Sequence, residues 1–117
     1  VATLRKGFTR KSRLISSVDF QKVFSEPEGR SVDNNFVVLM RSNDLNLARL
    51  GLAISKKRLK AANARNRAKR IVRESFRHHQ EQLSGYDVVV INRDGVKESN
   101  NQELLLSLEH HWNNLVK

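Results

Sequence analysis

Four histidines and a dense run of arginines are the groups in this 117-residue chain with the widest chemical reach. The histidines come as neighbours, His78–His79 and His110–His111. Adjacent helical residues point about 100° apart, so neither pair alone makes an acid–base couple or a metal-ligand set. Two such helices could still bring histidines together in space. A metal-dependent nuclease needs clustered carboxylates to hold Mg2+ against a phosphate. Asp87 and Asp94 flank one β-prone segment and would lie about 20 Å apart if it is extended. No glycine-rich phosphate loop is present, and the absence of cysteine removes disulfides and thiolate metal sites. The polypeptide by itself lacks the inventory of a catalyst, and no metal ligands are assigned within it.

Binding groups, by contrast, are abundant. The formal net charge is +10, and it is concentrated. Residues 1–14 carry five basic residues and no acid, and residues 56–77 carry ten against the single acid Glu74. Residues 15–55 hold four basic and five acidic groups, and residues 78–117 hold three and six. Charge segregated in this way calls for a polyanionic partner, most commonly nucleic acid. A lipid surface would instead require an apolar face rich in Trp, Phe and Leu opposite the charge. Residues 55–77 read SKKRLKAANARNRAKRIVRESFR. Arginine forks phosphates and stacks on bases, and asparagine reads base edges and sugars. A merely solvated helix face would need acidic partners at i±4, and Glu74 alone cannot supply them.

These groups need a scaffold, and the apolar pattern supplies one. Residues 1–15 show no periodicity and form a basic arm; residues 16–117 form one domain. Ser16 and Asp19 cap a short helix with Phe20, Val23 and Phe24 on one side, ended by Pro27 and Gly29. The apolar run from Phe36 to Met40 predicts a strand, and Leu50, Leu52 and Ile54 alternate as in a second. The short polar loop between them suggests that the two form a hairpin. Over residues 61–83 no Gly or Pro intervenes. Ala64, Ala68, Ile71, Val72, Ser75, Phe76 and His79 fall on one arc of a long helix. Lys69, Arg70, Arg73 and Arg77 lie opposite, with Arg65 and Arg67 on the flanks. A β-branched strand covers Asp87 to Ile91. Ser99 and Gln102 suggest a capping box before an amphipathic C-terminal helix carrying Leu104, Leu105, Leu108, Trp112 and Leu115. The class is α+β, with helices packed on a small sheet. No apolar run is long enough to span a bilayer, and a cytoplasmic location is expected.

Three blocks of sequence carry a family resemblance. Arg13-Leu14 is followed by Asp19-Phe20-Gln21-Lys22-Val23-Phe24. Gly51-Leu52-Ala53-Ile54-Ser55-Lys56-Lys57 leads to Arg65-Asn66-Arg67 with Lys69-Arg70. Glu74-Ser75-Phe76-Arg77 closes the long helix. In this order, over nearly the whole chain, they resemble the bacterial ribonuclease P protein family. The resemblance implies a single-domain α/β sandwich of three helices on a four-stranded mixed sheet. Its element order is α-β-β-β-α-β-α, with a left-handed β-α-β crossover where the general rule gives a right-handed one.

The resemblance also implies a division of labour. A catalytic RNA carries out Mg2+-dependent hydrolysis, holding the Mg2+ together with the substrate, and the protein alone is inactive. The protein binds that RNA and the 5′ leader of precursor tRNA. Lys56, Lys57, Arg65, Asn66, Arg67, Lys69, Arg70 and Arg73 are then expected against the catalytic RNA. Arg13, Phe20, Phe24, Phe36 and Val38 are expected to line a cleft for the single-stranded leader, with aromatic rings stacking on unpaired bases. The family often has a tyrosine where Leu39 or Met40 stands, and the only tyrosine here is Tyr86. The competing readings are a ribosomal or ribosome-assembly protein using the same basic helix, a DNA-binding module and a self-sufficient nuclease.

Overall fold

Helix α1 (Ser17–Ser25) starts at the expected cap, where Ser16 Oγ accepts the Asp19 N–H at 3.2 Å. The computed structural model describes residues 15–116, so most of the basic arm, Arg13 included, lies outside the described residues. After α1 come strands β1 (Gly29–Val32), β2 (Phe36–Ser42) and β3 (Arg49–Ala53), then helix α2 (Ala62–His78). Strand β4 (Tyr86–Asn92), a 3-10 turn (Asp94–Glu98) and helix α3 (Asn101–Leu115) complete the chain. Three helices on a four-stranded mixed sheet are thus present in the order the resemblance implies.

The sheet order is β1-β2-β4-β3. The expected hairpin between the Phe36–Met40 run and the Leu50–Ile54 run does not form. Strand β4 inserts between them, antiparallel to β2 and parallel to β3. All five residues of the run on β4 from Asp87 to Ile91 are buried or half-buried, as a strand covered on both faces requires. A central position for β4 satisfies that need, whereas an edge position would not. The hairpin that does form joins β1 to β2, and Asp33 closes it by accepting the N–H groups of Asn35 and Phe36. Four residues of β1 with only Val32 strongly apolar leave little periodic signal.

Side-chain alternation divides the sheet into two faces. Phe36, Val38, Met40, Leu50, Val88 and Val90 point to one side and form the main core with Ala68, Ile71, Val72 and Phe76 of α2 and Leu104, Leu108 and Trp112 of α3. Trp112 satisfies its indole N–H on Ser75 Oγ at 2.8 Å and meets Phe76 edge-on, ring centroids 6.5 Å apart. On the other face a smaller cluster of Val23, Leu39 and Val89, with Ile15, Phe20, Val37, Ala53 and Ile91 around it, seats α1.

Two element ends differ from the pattern-based expectation. Helix α2 stops at His78, and the turn that follows buries Leu83 completely. The C-terminal capping box is Asn100 with Glu103, not Ser99 with Gln102. The Ser99 hydroxyl donates to the Gly95 carbonyl at 2.9 Å and lies 3.0 Å from Asn35 Oδ1, so the next residue takes the cap.

Candidate nucleic-acid interface

Lys56, Lys57, Arg65 and Arg67 gather at one end of the sheet, and Lys69, Arg70 and Arg73 continue from there along α2. Strands β3 and β4 are parallel, so the chain leaving β3 turns at their shared C-terminal end and enters α2 there. Lys56 and Lys57 are exposed on this turn. Arg65 folds back over it, its Nη1 donating to the carbonyls of Leu59 at 3.0 Å and Lys60 at 2.7 Å. Arg67 Nη2 donates to the Ser99 carbonyl at 2.6 Å and ties the start of α2 to the segment before α3. Both guanidinium groups are therefore half-buried and partly committed to the protein, which pre-orders their remaining donors. Asn66, Arg70 and Arg73 are exposed and Lys69 is half-buried. Helix α2 has no side-chain cap and no acid in its first turn, so its N-terminal N–H groups add positive potential at the same end.

The second part of the site is apolar. Phe20 and Phe24 stack with centroids 6.0 Å apart and planes 20° off parallel. Phe20 is half-buried, lying against the backbone of Gly51, whereas Phe24 is 49% exposed. Beyond α1, the register aligns Val32, Val37, Ile91 and Ala53 in one row across all four strands. Val32 is exposed and the other three are half-buried, so an apolar strip runs beside the aromatic pair. Arg93 follows β4 at the end of this strip, its Nη1 held 2.9 Å from the Asp33 carbonyl.

Phe36 and Val38 are not part of that strip. Each is fully buried in the main core, on the face opposite α1. Strand β2 is apolar at every position from Phe36 to Met40, so its composition gives no sign of which alternate set faces which layer. A one-residue change of parity exchanges the faces, and Val37 takes the place expected of its neighbours. Val32, Ala53, Ile91 and Arg93 also escape sequence reasoning, because only the strand order places them in one row.

Several of the titratable groups are occupied structurally, whereas His78 and His110 are exposed. His111 is fully buried, with Nδ1 2.6 Å from Ser31 Oγ and Nε2 3.1 Å from Asp33 Oδ1, the latter approach out of line for a hydrogen bond. His79 Nδ1 sits 2.7 Å from the Ser75 carbonyl, with Glu109 3.8 Å from its other nitrogen. Asp87 forks Arg49, Nε to Oδ1 at 2.7 Å and Nη2 to Oδ2 at 2.8 Å, and Asp19 of α1 joins from 3.1 Å. The hydrogen bond from Ser16, with the Arg49 charge behind it, holds the Asp19 carboxyl below its usual range despite some desolvation. Among the described residues no three His, Cys, Asp or Glu side chains are grouped so as to hold a metal ion.

The sequence profile of the Ribonuclease P family matches residues 8–116. The ribonuclease P protein component of Stutzerimonas stutzeri (strain A1501) is 43% identical over 114 residues, covering 97% of this chain and 87% of that protein. The chain belongs to the ribonuclease P protein family. Its similarity to the component from Nitrosococcus oceani is 46% identity over 111 residues, 95% of this chain and 92% of that one. Among solved structures, the Staphylococcus aureus RNase P protein superposes with a TM-score of 0.79 at 29% identity, covering 91% of this chain and 98% of that one. Membership makes the chain a protein component of an endoribonuclease of tRNA processing and makes RNA its partner. It also decides against the ribosomal and DNA-binding readings of the same helix. No helix among the described residues is long and apolar enough to cross a membrane.

Proposed function

We propose that the chain holds the ribonuclease P RNA on its basic turn and α2 face while the strip beside Phe24 receives the 5′ leader of precursor tRNA, promoting leader removal in the cytoplasm. The observation that carries this reading is the shared location. Lys56, Lys57, the start of α2 and Arg93 lie at the end of the sheet where the Val32–Val37–Ile91–Ala53 row is half-open. Cations bind phosphate and an aromatic–aliphatic floor accepts unstacked bases, so one surface meets a folded RNA and a single strand together. The strip is aliphatic, which favours contact with bases of any identity over hydrogen-bonded readout.

Hydrolysis is assigned to the RNA. The protein's carboxylates do not fit a Mg2+ pair: Asp19 and Asp87 are spent on Arg49, and Asp33 accepts from Ser107 and two backbone N–H groups. RNA phosphates and base oxygens would be the ligands for Mg2+, whose chemistry when bound is to activate water. The protein raises affinity for precursor and lowers the Mg2+ requirement by screening RNA–RNA repulsion. The test is single-turnover cleavage of precursor tRNA with and without ribonuclease P RNA. Cleavage should require the RNA, and precursor should bind the complex more tightly than mature tRNA. Leader release by RNA-free protein at a comparable rate would overturn the proposal.

A further inference from the structure

Asn92 is fully buried at the end of β4, on the core side of the sheet, where an amide needs its donors and acceptor matched. Its side chain behaves as a surrogate peptide group. Oδ1 accepts the Ser55 N–H at 2.6 Å, and Nδ2 donates to the Ser55 carbonyl at 3.3 Å. The parallel ladder between β3 and β4 ends at Ala53 and Ile91. The Asn92 contact extends that pairing past the last strand residue and fixes the point at which the chain leaves the sheet.

From that point the basic turn closes on itself. The Ser55 carbonyl also accepts from the Leu59 N–H at 3.1 Å, Ser55 Oγ accepts from the Lys57 N–H at 3.1 Å, and Arg65 holds the Leu59 and Lys60 carbonyls. Lys56 and Lys57 project from this turn into solvent. On the other side of Asn92, Ile91 belongs to the apolar strip, and the Arg93 N–H donates to the Asn35 carbonyl at 2.8 Å. One side chain therefore connects the strip to the turn that carries the lysines.

We infer that Asn92 is a positioning residue for substrate selection, acting through Lys56 and Lys57 by fixing their placement relative to the strip. The inference rests on the leader-binding reading above. Two lysines on a loose turn would still attract RNA, because long-range attraction needs charge only. They would lose the ordered geometry that sets the RNA held on the turn in register with the leader on the strip, a register that only precursor uses.

The experiment uses the chain reconstituted with ribonuclease P RNA, and equilibrium binding of leader-bearing precursor and of mature tRNA. Asn92→Ala should weaken precursor binding about fivefold, the scale of one net hydrogen bond, and mature tRNA binding less than about twofold. In a Lys56→Ala/Lys57→Ala background the same change should cost nothing further, because the groups it positions are gone. Equal loss for the two tRNAs, or the same added loss in both backgrounds, would mean Asn92 merely supports the fold and would overturn the inference. Should the alanine variant not fold, Asn92→Thr is measured in its place against the same two outcomes. A wild-type complex with no preference for precursor sinks the leader-binding reading itself. A wild-type preference that Asn92→Ala leaves undiminished sinks this inference alone.

Discussion

Arg49 and Asp87 face each other on neighbouring parallel strands in a two-pronged ion pair, with side chains only 17% and 6% exposed. Asp19 adds a third charge from α1, and Asn43 Nδ2 donates to Asp87 Oδ1 at 3.0 Å. Removing one partner strands the other in a poorly solvated site. Asp87→Ala should cost about 3 kcal/mol in urea denaturation, whereas the apolar pair Arg49→Met/Asp87→Leu should cost clearly less. A single variant as stable as the double one would show that solvent reaches the pair freely.

Gly51 is where α1 touches the sheet. A Cβ added there would lie 2.9 Å from Phe20 Cδ2 and 3.2 Å from Ile15 Cδ1. The obstacle is an aromatic ring, which cannot bend away, so the helix must lift. Gly51→Ala should destabilise by about 1–2 kcal/mol, and Phe20→Leu in the same molecule should recover part of that loss. Thermal denaturation of the two variants checks both statements.

The two stacked rings should separate by function. Phe24 is half in solvent and Phe20 is packed on Gly51. Phe24→Ala should weaken precursor binding by about 1–2 kcal/mol, the value of one stacked base, and leave mature tRNA binding unchanged. Phe20→Ala should lower the melting temperature more than Phe24→Ala does. Comparable loss of both RNAs with Phe24→Ala would make the pair structural.

The arginines of α2 divide in the same way. Arg70 and Arg73 are exposed, so replacing either with Ala should change stability by less than about 0.5 kcal/mol. Each should also reduce the slope of log affinity against log salt by about one unit. Arg67→Ala removes the hydrogen bond to the Ser99 carbonyl and should cost about 1 kcal/mol of stability besides weakening RNA binding. Filter binding across a salt series, with parallel denaturation curves, separates the two classes.

Acid stability should depend on Asp33. Burial raises its carboxyl, but hydrogen bonds from Ser107 and from the Phe36 and Asn35 N–H groups, together with the His111 charge, outweigh burial and hold it below 3.8. A group depressed by folding contributes its full stabilisation above the unfolded value and loses it as pH falls through the folded one. Asp33→Asn should therefore destabilise the protein fully at about pH 6 and progressively less as the pH falls below 3.8, so the two stability curves converge toward acid. Parallel curves would mean that the carboxylate charge contributes nothing.

The sequence alone determined the partner class and most of the elements. Charge segregation is a property of residue order, and ten cations against Glu74 over residues 56–77 need no structure to imply a nucleic acid, which the family motifs narrow to RNA. Helical period placed Ala68, Ile71, Val72 and Phe76 in the core, because a 3.6-residue repeat commits each side chain to one direction. The tertiary structure decided what pairs with what. Strand β4 separates β2 from β3 because hydrogen-bonding partners are chosen by burial across the whole sheet, which local spacing does not encode. The same choice sent Phe36 and Val38 to the core and brought Val32, Val37, Ile91 and Ala53 into one row, since a uniformly apolar strand carries no mark of its two faces. It also turned Arg65 and Arg67 partly inward. Sequence shows that an arginine is charged, but only the fold shows which carbonyls come within reach of it.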